Sequence, residues 1–255
     1  MADVPMPANR PKPGDFAANR LLATFPAELR NQIVKSAQLI NLEEGEVVIE
    51  QGEDISRSLF PLANCAISLS AQLDGGRSIE VTSVGNEGAL GGIVSCGRSP
   101  AFARAVVLIP GKALSLPMEA IEEIKVSSGH MRNLFCRYSD YLLAQILQSA
   151  ACNSFHSIEQ RTARWLLTAQ DRAGDRLVLT QETLARLLGV QRTTINAVVR
   201  ELQDENQVSV RRGAIEILSR DGLRRRACTC YDSIESHFGD IIGDSGNGGS
   251  KGCDD

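Results

Sequence analysis

The sequence has no apolar run long enough to span a bilayer, and its opening, MADVPMPANRPKPGDF, lacks the apolar centre of a secretory leader. These absences argue against a membrane role and set the expectation of a cytoplasmic protein. There is no phosphate-binding loop, nucleophile elbow or metalloprotease helix, so the chain is not expected to be an enzyme. Histidine occurs only at His130, His156 and His237, with no spacing that marks a haem ligand. No cysteine precedes Cys65. The seven cysteines, at 65, 96, 136, 152, 228, 230 and 253, are odd in number and scattered, as expected of reduced thiols in a chain of 255 residues that needs no stapling. Cys228 and Cys230 with His237 make half of a zinc-type set, for which the fourth ligand would be His156 or Cys253; no metal site is expected from that fragment. Lysine is missing from His156 to Ala227. That stretch carries 13 arginines against nine acidic residues, a net +4, which leaves −8 for the remainder of a chain whose total is −4. An acidic protein with a basic C-terminal part suits a nucleic-acid-binding unit joined to something that does not touch nucleic acid.

What is present is most informative from Thr180 to Arg200, TQETLARLLGVQRTTINAVVR. The spacing predicts two short helices around a tight corner. Ala185 is small where the helices cross, and Gly189 falls where the chain must leave the first helix in a left-handed conformation. Leu184, Leu188, Val190, Ile195 and Val198 supply the facing apolar sides at three- and four-residue spacing. Thr180 is placed to cap the first helix. Gln191, Arg192, Thr193, Thr194 and Asn196 are left on the outward start of the second helix, with Arg200 further along it, and such side chains hydrogen-bond base edges or phosphates. Alternation at Val208, Val210, Ile215 and Ile217 around Arg211, Arg212, Gly213 and Ala214 predicts a β-hairpin wing whose arginines meet the phosphate backbone. Arg224, Arg225 and Arg226 are read equally well as phosphate contacts or as a solvated face.

Upstream, Leu21, Leu22, Phe25, Leu29, Ile33 and Val34 predict helix as far as about Ile40, broken near Pro26. Turn signals from Glu44-Gly45 to Pro110-Gly111 divide Leu42 to Pro117 into short strands, the clearest hairpin pairing Ile67, Leu69, Ala71 and Leu73 with Ile79 and Val81 across Asp74-Gly75-Gly76. From about Glu119 the pattern is helical again. Leu134, Tyr138, Tyr141, Leu142, Gln145, Ile146, Ser149 and Cys152 form a stripe read as a homodimer seam, packing on the β unit alone being the other reading. Ser157 to Gln160 is a full capping box that opens a helix burying Ile158, Trp165, Leu166 and Ala169. The predicted division is a disordered segment 1–19, a β jelly-roll sensor 20–126, a dimer helix and hinge 127–155, a winged helix-turn-helix unit 156–238 and a disordered tail 239–255, an α+β protein overall.

In this order the elements resemble the Crp/Fnr family of bacterial transcription regulators, from roughly Leu21 to Phe238. The most specific parts are LTQETLARLLGVQRTTINAVVRELQDENQVSV, EEGEVVIEQGE and SLFPLANCAISLSAQLDGGRSIEVTSVGNEG. The resemblance implies a homodimer that reads palindromic double-stranded DNA through the helix starting near Gln191, with RNA polymerase as a partner. It places Arg192 where the family's cyclic-AMP receptor has an arginine that contacts guanine. Thr193 and Ala197 replace a glutamate and an arginine used there, so a different DNA sequence is expected. It also maps an effector pocket to Gly85, Glu87, Gly88, Ala89 and Leu90, with Arg104. There Ala89 stands in place of the ribose-binding glutamate and no Arg-Ser-Ala follows, which argues against cyclic AMP. The absence of cysteines before Cys65 argues against the family's iron–sulfur cluster, and the histidines argue against haem. The effector is left unknown. The alternative is a ligand-binding signalling module acting on a protein partner rather than on DNA.

Overall fold

A computed structural model describes residues 10–73, 77–93 and 100–243. Cys96, Cys253, the Asp74-Gly75-Gly76 turn and the outermost parts of both expected disordered ends lie outside the described residues. The β unit consists of two antiparallel sheets. One has the order β1 (Gln38–Leu42), β7 (Gly111–Pro117), β3 (Arg57–Pro61); the other runs β2 (Val47–Ile49), β6 (Arg104–Ile109), β4 (Ala66–Leu73), β5 (Arg77–Val84). Leu42, Leu59 and Ala113 from the first sheet share a core with Ile67, Val84 and Val107 from the second, so the sheets face each other. The expected hairpin forms with Ile67 opposite Val84, Leu69 opposite Thr82 and Ala71 opposite Ile79. Its other face is not left to water. Thr82 Oγ1 donates to Gln145 Oε1 at 2.8 Å and Trp165 Nε1 donates to Glu80 Oε1 at 3.0 Å, so later helices cover the polar face of the sheet.

Around Pro26 the first helices divide as expected into α2 (Arg20–Ala23) and α3 (Ala27–Ile33). Two expectations fail nearby. Helix does not continue to Ile40, because Gln38–Leu42 pairs with β7 as strand. Nor is the segment before residue 20 wholly disordered: α1 (Pro13–Ala17) buries Phe16 in the same core as Leu21, Leu22 and Phe25.

α4 (Met118–Ser127) leads into α5 (Gly129–Phe155), the longest element. The stripe read as a dimer seam does not face outward. Leu134, Tyr138, Tyr141 and Gln145 are buried within their own chain and Leu142 and Ser149 are half-buried, because Tyr138 and Tyr141 fill the core beside Phe135. Of the stripe, Cys152 is also buried and only Ile146 is exposed, beside Leu143 and Leu147, while Phe155 is exposed at the end of the helix.

The C-terminal unit comprises α6 (Ile158–Ala173), β8 (Arg176–Leu177), α7 (Gln181–Leu188), α8 (Arg192–Asp204), the wing strands β9 (Val208–Arg211) and β10 (Ala214–Ile217), and α9 (Arg220–Arg226). The capping box at Ser157 forms, with Ser157 and Gln160 bonding each other's backbone amides. α10 (Cys230–Phe238) departs from the expected boundary at Phe238. It turns back to α5, Phe238 meets Tyr141 edge-on at 4.9 Å, and Ile242 in the following π turn is buried in the N-terminal core, so the chain is ordered through Gly243.

Candidate nucleic-acid interface

The corner is fixed by local chemistry. Thr180 caps α7 by accepting from the Thr183 amide at 3.0 Å, and Gly189 ends it at φ 68°, ψ 33°. Arg161 of α6 donates to the Leu188 carbonyl at 2.8 Å, satisfying an acceptor that the end of α7 leaves free. Leu184, Ala185, Leu188, Ile195, Val198, Val199 and Leu202 are buried in one core with Trp165 and Leu166. At about 1.5–3 kcal/mol for each large apolar side chain, that burial decides which face of α8 turns inward.

The opposite face is open. Gln191, Arg192, Thr193, Asn196, Ala197 and Arg200 are exposed and Thr194 is half-buried, so the helix presents the expected polar side to solvent. The first-turn amides of α8 have no side-chain cap, since Gln191 makes no capping bond. Arg192 lies 3.7 Å from Glu182 on α7. In the wing, Arg211 and Arg212 are exposed, Gly213 takes φ 70°, and Arg211 stands 3.6 Å from Glu216 across the hairpin. β8 adds a third strand, giving the order β8-β10-β9. Of the arginine triplet, Arg224 pairs with Asp232 at 2.7 Å and Arg226 with Glu201 and Glu205 at the end of α8. Arg225 is exposed and joins none of these pairs.

The residues expected to line an effector pocket are occupied by their own chain. Glu87 and Arg172 are almost fully buried and joined: Arg172 Nη2 donates to Glu87 Oε1 at 2.6 Å and to the Ser83 carbonyl at 2.9 Å, while Nη1 reaches Ser83 Oγ at 2.6 Å. Tyr138 Oη lies against Gly88 and exchanges hydrogen bonds with the Ala89 amide and carbonyl, both 2.8 Å. The Arg172 side chain fills the space beside Gly85, and Ala89 and Leu90 are buried. Arg104 does not join this group. It pairs with Glu50 at 3.1 Å and borders a cavity of about 360 Å³ between the outer face of the sheet and α7, shared with Ser68, Glu80, Thr183 and Arg186. That cavity is an inter-unit feature with no local sequence signature. Of the fragment Cys228, Cys230 and His237, the two cysteines gather with Cys152 and His156 rather than with His237.

This arrangement defines a class, a β-roll unit carrying a winged helix-turn-helix whose second helix is exposed on its polar side. Residues 160–226 match the Crp-like helix-turn-helix domain. A stretch of 52 residues is 42% identical to the HTH-type transcriptional regulator Cmr of Mycobacterium tuberculosis (strain CDC 1551 / Oshkosh), covering 20% of this chain and 21% of that protein, so about a fifth of that relative's length is spanned. Among solved structures, FixK2 from Bradyrhizobium japonicum superposes with TM-score 0.64 at 13% identity, covering 75% of this chain and 98% of that one. TTHB099, a CRP-family transcriptional regulator from Thermus thermophilus, gives 0.61 at 16% identity over 74% of this chain and 96% of its own. CLP of Xanthomonas campestris, described as a c-di-GMP responsive global regulator, gives 0.60 at 14% identity over 76% and 100%. The three structural likenesses are likenesses of fold. The chain thus shares the overall fold of these regulators, and residues 160–226 carry a Crp-like helix-turn-helix domain.

Proposed function

We propose that the chain is a sequence-specific DNA-binding regulator that works as a homodimer, each subunit inserting the start of α8 into a major groove. The observation that carries this reading is the division of α8: Ile195, Val198, Val199 and Leu202 hold it to the unit's core while Gln191, Arg192, Thr193, Asn196 and Arg200 are exposed. The wing arginines add phosphate contact. The exposed strip Leu143, Ile146, Leu147 of α5 is the proposed seam, since the Tyr138 and Tyr141 side is already used. The effector is proposed to be something other than cyclic AMP, because Glu87 is held by Arg172 and Tyr138 sits over Gly88. Electrophoretic shift of genomic fragments tests the reading: selective retention of fragments sharing a palindrome is expected. Binding that barely changes between low and moderate salt would favour a protein-directed module instead, since phosphate contact releases counterions.

A further inference from the structure

Three buried cysteines and a histidine converge where the end of α5 meets the bend between α9 and α10. Cys152 lies in the last turn of α5 and His156 caps that helix, so the two side chains, four residues apart, share a face. Cys228 and Cys230 flank Thr229 in the bend from α9 to α10, and Cys228 is 76 residues from Cys152 in sequence. Cys152 Sγ stands 3.5 Å from Cys228 Sγ, Cys230 Sγ stands 3.4 Å from His156 Nδ1, and all four donor atoms fall within 4.8 Å of one another. A tetrahedral ion with metal–sulfur bonds of about 2.3 Å and a metal–nitrogen bond of about 2.0 Å sets its donors roughly 3.6 to 3.8 Å apart. The two contacts are within a few tenths of an ångström of that. The Gln148 side-chain amide donates to Cys230 Sγ at 2.9 Å, the kind of outer contact that orients a thiolate ligand. Thiols packed merely as small apolar groups need neither an amide donor nor an imidazole nitrogen turned onto them. An iron–sulfur cluster would spread its ligands over separate irons, beyond the observed span. Three sulfurs and an imidazole also disfavour oxygen-seeking magnesium or calcium.

We propose that Cys152, His156, Cys228 and Cys230 hold one zinc-class divalent ion in tetrahedral coordination, clamping the end of α5 to the bend between α9 and α10. The match to the Crp-like domain spans residues 160–226, so all four ligands lie outside it, Cys152 and His156 ahead of it and Cys228 and Cys230 after it. The clamp's consequence, which rests on the proposed DNA-binding role, is that the ion fixes where α8 stands relative to the α5 seam.

Metal analysis of the full chain, purified reduced and without chelator, is expected to return about one zinc per chain, with Cys152→Ser and Cys228→Ser each retaining less than about a tenth of that and His237→Ala and Cys136→Ser retaining all of it. Because a cysteine variant can also fail by misfolding, the unmutated chain loaded with cobalt(II) supplies a second readout. Thiolate-to-cobalt charge transfer in the near ultraviolet with intense tetrahedral bands in the visible is expected. An octahedral cobalt spectrum, metal content indifferent to Cys152 and Cys228, or a Cys152–Cys228 disulfide that persists through purification under reductant would overturn the site. Chelation is expected to weaken specific DNA binding by roughly ten- to a hundredfold, the size of an ordinary coupling between two sites. Unchanged DNA affinity after the zinc is removed overturns the coupling. A zinc-loaded chain that binds no DNA counts against the DNA-binding role and leaves the site standing.

Discussion

Arg192 occupies the first helical position of α8, and its exposed pair with Glu182 holds it by no more than about 1 kcal/mol, so turning the guanidinium to a base edge costs little. Arg192→Ala is expected to lose roughly 1 to 3 kcal/mol of discrimination at one base pair, whereas Arg211→Ala or Arg212→Ala weakens all duplexes alike and flattens the salt slope. Fluorescence anisotropy with matched and mismatched duplexes separates the two behaviours. Glu80 makes a different point. Burial holds its carboxyl above the ordinary carboxylate range, more than the Trp165 and Ser68 hydrogen bonds lower it. The folded chain therefore keeps that proton to higher pH than the unfolded chain does. Stability falls as pH rises from the ordinary glutamate range through the raised value. In Glu80→Gln that fall should vanish, and melting curves taken from about pH 4 to pH 7 show it as a flatter profile than the unmutated chain gives.

At the scale of elements, the corner between α7 and α8 was legible because its determinants are neighbours in sequence. Thr180, Ala185 and Gly189 answer a cap, a crossing and a left-handed turn within ten residues; in the structure Thr180 caps the helix, Gly189 takes the left-handed turn and Ala185 is buried. Gly189→Val, forced into that turn with its Cβ 3.2 Å from Ile79 Cδ1, should lower stability by about 1–2 kcal/mol in urea titration. α5 was legible as a helix but not by face. Apolar residues recur on two sides of it, and periodicity does not say whether Tyr138 or Leu147 meets another chain; the β unit claimed Tyr138 and Tyr141 because the N-terminal helices left space for large rings there. Leu147→Asp is accordingly expected to shift a dimer to monomer in sedimentation velocity with little loss of stability, while Tyr141→Ala costs about 3–5 kcal/mol of folding energy. The cysteine cluster was half visible, as Cys228-x-Cys230. Its other half, Cys152 with His156 at the end of α5, comes from a distant segment that no local pattern ties to the first.

Over the whole molecule, the two units are joined by contacts that sequence spacing could not reveal: Arg172 of α6 inserted beside Glu87 and Ser83, Trp165 on Glu80, and α10 returned onto α5. Breaking a buried pair strands a charge. Arg172→Ala should therefore cost about 3–5 kcal/mol, while the paired replacement Arg172→Met with Glu87→Leu comes much closer to neutral, as chemical denaturation would record. The acidic β unit and the basic C-terminal unit divide the chain's charge as the sequence indicates, and the exposed side of α8 is where the proposed function brings that division to DNA. The most direct test of this account is selection of bound duplexes from a randomised pool by the full chain. The account predicts enrichment of a dyad-symmetric sequence with half-site centres about 34 Å apart, one helical turn, and loss of one position's preference in Arg192→Ala. Enrichment of no symmetric sequence, or one left untouched by Arg192→Ala, would contradict it.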